Sequence, residues 1–105
     1  MRIATYRAKG IGGPHAPLEG VLSLKDGCLI VEVSQDYHVL PVFPDNRAYL
    51  DHQKGLLVLT DMPGELEYGI GAEVGFAGML YYDYGDLNLN SCEGAAADVF
   101  VINGW

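Results

Sequence analysis

No lysine or arginine follows Lys54, so residues 55–105 carry acids without a single fixed cation. Those acids are Asp61, Glu65, Glu67, Glu73, Asp83, Asp86, Glu93 and Asp98, and they hold the whole net charge of −8. In residues 1–54, six basic and six acidic side chains cancel. Binding to a phosphate backbone rests on neutralising its charge and releasing counterions, so direct nucleic-acid binding is not expected. No apolar run approaches the ~18 residues of a membrane-spanning helix, so no membrane association is expected. Met1-Arg2-Ile3-Ala4 opens no signal-peptide pattern, which points to a cytoplasmic location.

Catalytic motifs are equally scarce. Ser23, Ser34 and Ser91 lie in no Gly-x-Ser-x-Gly elbow. Gly10 to Gly13 lacks the Lys-Ser/Thr end of a phosphate loop. His15, His38 and His52 have no metal-ligand spacing. Asp51-His52 has no nucleophile spaced to complete a triad. Glu65 and Glu67 read as the solvent face of a half-buried strand. The expectation is a protein without catalytic residues and without a cofactor. Only two cysteines occur, Cys28 and Cys92, outside any Cys-x-x-Cys motif. The default in the cytoplasm is two reduced thiols, although each sits next to an expected strand and a disulfide is the alternative.

What the sequence does have is turn residues. Fourteen glycines and five prolines in 105 residues argue against a helix bundle. One domain, residues 1–105, fits this length. Short strands are expected over Ile3–Ala8, Gly20–Lys25, Cys28–Ser34, Tyr37–Phe43, Gly55–Thr60, Glu65–Gly71, Ala72–Tyr84 and Val99–Asn103. Asp26-Gly27 marks a type I′ hairpin turn, because both residues accept positive φ. Pro41 lacks an N–H and puts its strand at an edge or a bulge. Leu56 to Leu59 are apolar on both faces, as in a central strand, and Leu66, Tyr68 and Ile70 alternate inward. Gly75 and Gly78 suggest a bent strand or close backbone approach. Lys9–Pro17 reads as a loop, Asp45–Gly55 as a loop or one helical turn, and Asp86–Ala97 as irregular or a short helix. The fold class is all-β, a small antiparallel, OB-like barrel of about six to seven short strands with little helix.

Gly20-Val21-Leu22, Asp26-Gly27-Cys28-Leu29 and Pro41-Val42-Phe43-Pro44, followed by Gly71–Gly78, Cys92 and Val99–Asn103, resemble the pattern of small uncharacterised bacterial β domains, many of them in lipoproteins. The resemblance spans residues 19 to 103 and implies an OB-like barrel of no known activity.

Two stretches stand out as site candidates. Met79–Asp86 interleaves Tyr81, Tyr82 and Tyr84 with Asp83 and Asp86. Aromatic faces beside carboxylates suit a protein interface, sugars or cationic groups, or simply one core face and one wet face. Asp86-x-Asn88-x-Asn90 begins like a calcium loop, yet Ser91 stands where a Gly belongs and Ala97 where a bidentate Glu belongs. Three functional readings follow. The first is a non-enzymatic binding or assembly module for a protein partner or for its own copy, a homo-oligomer. The second is a small-ligand or carbohydrate binder at residues 79–86. The third is an acidic charge mimic acting on a nucleic-acid-binding protein.

Overall fold

Two hairpins and a returning strand build the molecule outward from the Asp26-Gly27 turn. The computed structural model describes residues 1–8, 15–81 and 86–105. Ten strands run in chain order: β1 Ala4–Tyr6, β2 Ala16–Lys25, β3 Cys28–Ser34, β4 Tyr37–Pro44, β5 Ala48–Asp51, β6 Leu56–Asp61, β7 Gly64–Tyr68, β8 Glu73–Tyr81, β9 Leu87–Asn88 and β10 Asp98–Gly104. Among the described residues no helix is long and apolar enough to cross a membrane.

Asp26 and Gly27 both have positive φ, 54° and 80°, as the hairpin twist requires. They place Leu24 opposite Leu29 and Leu22 opposite Val31. The ladder order β10-β8-β2-β3-β4 then returns from β4 to β10, closing a five-stranded barrel. The all-β class therefore holds, and the barrel is consistent with an OB-like one. The closure is a parallel ladder, with Leu40 opposite Val99 and Val42 opposite Val101. Hairpin signals in a sequence report only antiparallel neighbours, which is why this pair was not anticipated.

Leu18, Leu22, Leu29, Val31, Val39, Phe43, Val74, Phe76, Phe100 and Ile102 fill the interior. Between β4 and β8 the chain makes a separate meander, β5-β6-β7, with β6 in the middle as its two-sided apolar pattern implies. Leu57 and Leu59 join the barrel core, and Tyr68 meets Phe76 edge-to-face at 6.2 Å. The meander thus packs its apolar side onto the barrel core.

Several expectations change. β2 begins at Ala16, four residues before the expected strand, because Pro17 pairs with Ala77 on the ladder to β8. Asp45–Gly55 contains β5 rather than a loop or helical turn; Asp51 accepts bonds from the Gln53 and Lys54 N–H groups at 3.1 Å, turning the chain straight into β6. Ile70 lies beyond β7 and is exposed rather than inward. Pro41 is buried in a barrel strand, not at an edge. It falls where the β3 ladder has ended at Val39 and the β1 ladder has not begun at Val42, so its missing N–H interrupts neither. The close approach expected at Gly78 is real: a Cβ there would collide with the Val101 carbonyl.

Candidate functional site: covered and open faces of the barrel

The outside of the barrel divides into a part the chain covers itself and a part it leaves bare. On β3, β4 and β10, Cys28, Ile30, Leu40, Val42 and Val99 point away from the interior and are nevertheless buried. They form a second apolar cluster with Ala4 of β1 and with Leu89, Cys92 and Ala95 of the segment leading to β10. Over Cys28–Val31, Val39–Phe43 and Val99–Phe100 the strands are buried on both faces, which explains their unbroken apolar runs.

Cys28 and Cys92 are joined in a disulfide, with Cα atoms 5.8 Å apart. This corrects the expectation of two reduced thiols: the covering segment brings Cys92 back over the start of β3, a proximity no spacing in the sequence reveals. Other ties hold the cover. The Tyr6 hydroxyl donates to the Ile102 carbonyl at 2.7 Å, and the Arg2 N–H donates to the Gly27 carbonyl at 2.7 Å. Partial burial raises the Tyr6 pKa above its ordinary value, with nearby Arg47 opposing and Asp45 adding to the shift.

In OB-type barrels the face centred on the second and third strands is a common binding surface for oligonucleotides and sugars. Here the corresponding strands are β3 and β4, and the protein's own chain lies on them.

The bare part lies on β2 and β8. Burial alternates along β8, with Val74, Phe76 and Gly78 inward and Glu73, Gly75 and Met79 outward. On β2, Pro17 and Glu19 are exposed and Val21 is half-buried. Val21 belongs to both ladders, paired with Glu32 on one side and Glu73 on the other. The bonds between Leu22 and residues 71 and 72 set that register (Gly71 N–H to Leu22 O 2.8 Å, Leu22 N–H to Ala72 O 2.9 Å). Gly71, at φ 92°, makes the turn. A groove of about 560 Å³ opens here, lined by Glu19, Gly20, Val21, Val33, Glu73, Val74 and Gly75. Gly20 is forced by sterics, since a Cβ would strike the Glu32 carbonyl, whereas a Cβ on Gly75 would meet nothing within 4 Å. Glu32 has His38 Nε2 at 3.9 Å; among the described residues no Lys or Arg forms an ion pair with any of the three carboxylates.

The residues singled out from the sequence are distributed as follows. Tyr81 ends β8, half-buried opposite Val99, and Asp86 is exposed ahead of β9. Tyr82, Asp83 and Tyr84 lie outside the described residues. The oxygen ligands suggested for calcium are partly committed: Asn88 Oδ1 accepts the Asn90 N–H at 3.2 Å, and Asn90 Nδ2 donates to the Ile3 carbonyl at 3.5 Å. This is an Asx turn that folds the covering segment. Among the described residues no three His, Cys, Asp or Glu side chains gather where a metal ion could be held. Glu65 accepts a bond from the Tyr49 hydroxyl at 3.2 Å, and that bond is the main cause of Tyr49's raised pKa. The groove leaves no mark in the sequence: Glu19 falls between the expected loop Lys9–Pro17 and the expected strand Gly20–Lys25, and Glu73 lies in the expected strand Ala72–Tyr84, with nothing local to join them.

The chain matches no protein-family model, no curated protein and no solved structure.

Proposed function

We propose that the domain is a non-enzymatic binding module that engages a partner protein, or a second copy of itself, through the open β2–β8 face. The observation that supports this is the asymmetry of the barrel exterior. Much of the β3–β4–β10 side is sealed under a disulfide-fastened layer, while the β2–β8 side carries an open groove in which Val21 and Val33 lie beside Glu19 and Glu73. An uncovered sheet face with half-buried Val21 and Ala77 beside exposed Met79 is a surface a protein partner can dehydrate.

The described acids of the second half do not gather on one face. Asp61, Glu65 and Glu67 are on the meander, Glu73 on β8, Asp86 and Glu93 in the cover, and Asp98 on β10 under the Tyr37 hydroxyl at 2.7 Å. That spread favours a local contact over wholesale charge mimicry. The buried disulfide also favours a working place in an oxidising compartment over the cytoplasmic one expected from the opening residues.

Backbone hydrogen exchange, measured across a wide range of protein concentration and in the presence of probe peptides, tests the module. Protection concentrated at residues 16–21 and 73–79 is the expected result. Unchanged exchange in both strands under every condition would contradict it.

A further inference from the structure

We infer that the β2–β8 groove receives an extended basic segment of a partner protein, with a lysine or arginine held among Glu19, Glu32 and Glu73 and its aliphatic stem against Val21 and Val33. The inference rests on the reading of this face as the interface and adds the chemistry of the partner.

Three carboxylates surround one half-buried valine. The ladders set Glu73, Val21 and Glu32 in a row across β8, β2 and β3, and Glu19 sits opposite Gly75 in the adjoining register. On a pleated strand Glu19 and Val21 share a side, so the Glu19 carboxylate stands over the same patch as the row. None has a Lys or Arg partner among the described residues, and the neighbour of Glu32 is the His38 imidazole, its Nε2 3.9 Å from the carboxylate. The acids are not gathered tightly enough to chelate a metal ion. They are arranged instead around an apolar floor, and that combination fits a long side chain with an apolar stem and a charged head. Gly75 completes the fit. It is exposed, its missing side chain leaves open space above β8, and a partner backbone can approach there. The net charge of −8 adds a long-range attraction that speeds the encounter and weakens as salt screens it.

The test uses the full chain and three fluorescein-labelled peptides of equal length: alternating Lys-Val, alternating Ser-Val and alternating Glu-Val. Fluorescence anisotropy reads binding at low and high salt. The Lys-Val peptide should bind and the Glu-Val peptide should not. Glu19→Gln with Glu73→Gln should weaken the Lys-Val peptide by roughly two- to thirtyfold, the sum of two exposed ion pairs. Glu65→Gln with Glu67→Gln on the meander should change little. Gly75→Leu places its Cβ in open space on the groove and should weaken any peptide bound there. Equal loss from the meander pair would mean diffuse attraction and overturn the inference. If Ser-Val binds as well as Lys-Val and only Gly75→Leu weakens it, the interface stands and the basic partner falls. If no peptide responds to Gly75→Leu, both fall.

Discussion

Cys28, the first residue of β3, is bonded to Cys92 in the segment that covers it, and the link spans 64 residues of sequence. Both are almost fully buried, in the same cluster as Ile30, Leu40 and Leu89. The bond therefore does two things: it shortens the unfolded chain and it keeps the cover seated on the barrel. In the chain-entropy account a loop of this length contributes about 4 kcal/mol. Replacing both cysteines with alanine should lower Tm by ~15–30 °C for a domain of this size, measured by thermal unfolding without and with reductant. The wild type under reductant should approach the double variant. An unchanged Tm would show that the cover is held by packing alone.

Gly78 and Gly75 occupy alternate faces of β8 and should respond oppositely to alanine. At Gly78 a Cβ collides with backbone, the Val101 carbonyl, so β8 and β10 must separate. A loss of about 1–3 kcal/mol or more is expected. At Gly75 the added methyl meets nothing, and the lower entropy of the unfolded chain makes Gly75→Ala neutral or stabilising by up to ~1 kcal/mol. Denaturant unfolding of the two variants separates these outcomes.

Much of the barrel was legible because its signals are local. Asp26-Gly27 fixes the β2–β3 hairpin and its register, and Leu56–Leu59 announce a strand buried on both faces. The same two-sided pattern is present in Val39–Phe43 and Val99–Ile102, and it marks the strands that lie under the cover. It was hard to interpret there because the covering residues, Leu89, Cys92 and Ala95, belong to an irregular segment held by side-chain bonds rather than by periodicity. The parallel β4–β10 ladder and the disulfide join residues far apart in sequence, so neither leaves a local mark. The groove was illegible for a related reason. Glu19 and Glu73 become neighbours only through the β2–β8 ladder, and Glu32 joins them through the β2–β3 ladder at Val21.

Tyr6 links β1 to β10 through its bond to the Ile102 carbonyl. Tyr6→Phe should cost about 0.5–1.5 kcal/mol, because the carbonyl loses a donor in a partly buried setting. The raised pKa gives the linkage a definite sign. The folded state holds the phenolic proton more tightly than the unfolded chain, so the contribution is complete below the ordinary value of 10.0. It is lost as pH rises from there through the folded pKa. Stability against pH should therefore fall more steeply above pH 10 in the wild type than in Tyr6→Phe. Chemical denaturation on both sides of that pH checks the difference, and parallel curves would contradict it.

The most direct measurement is an amide-resolved shift map of isotope-labelled protein titrated with the Lys-Val peptide. The account predicts that the largest changes fall on Glu19, Gly20, Val21, Glu73 and Gly75, with the covered strand β4 silent. Changes centred instead on Leu89–Ala95 or on Tyr81 and Asp86, with β2 unmoved, would contradict the assignment of the open face as the binding surface.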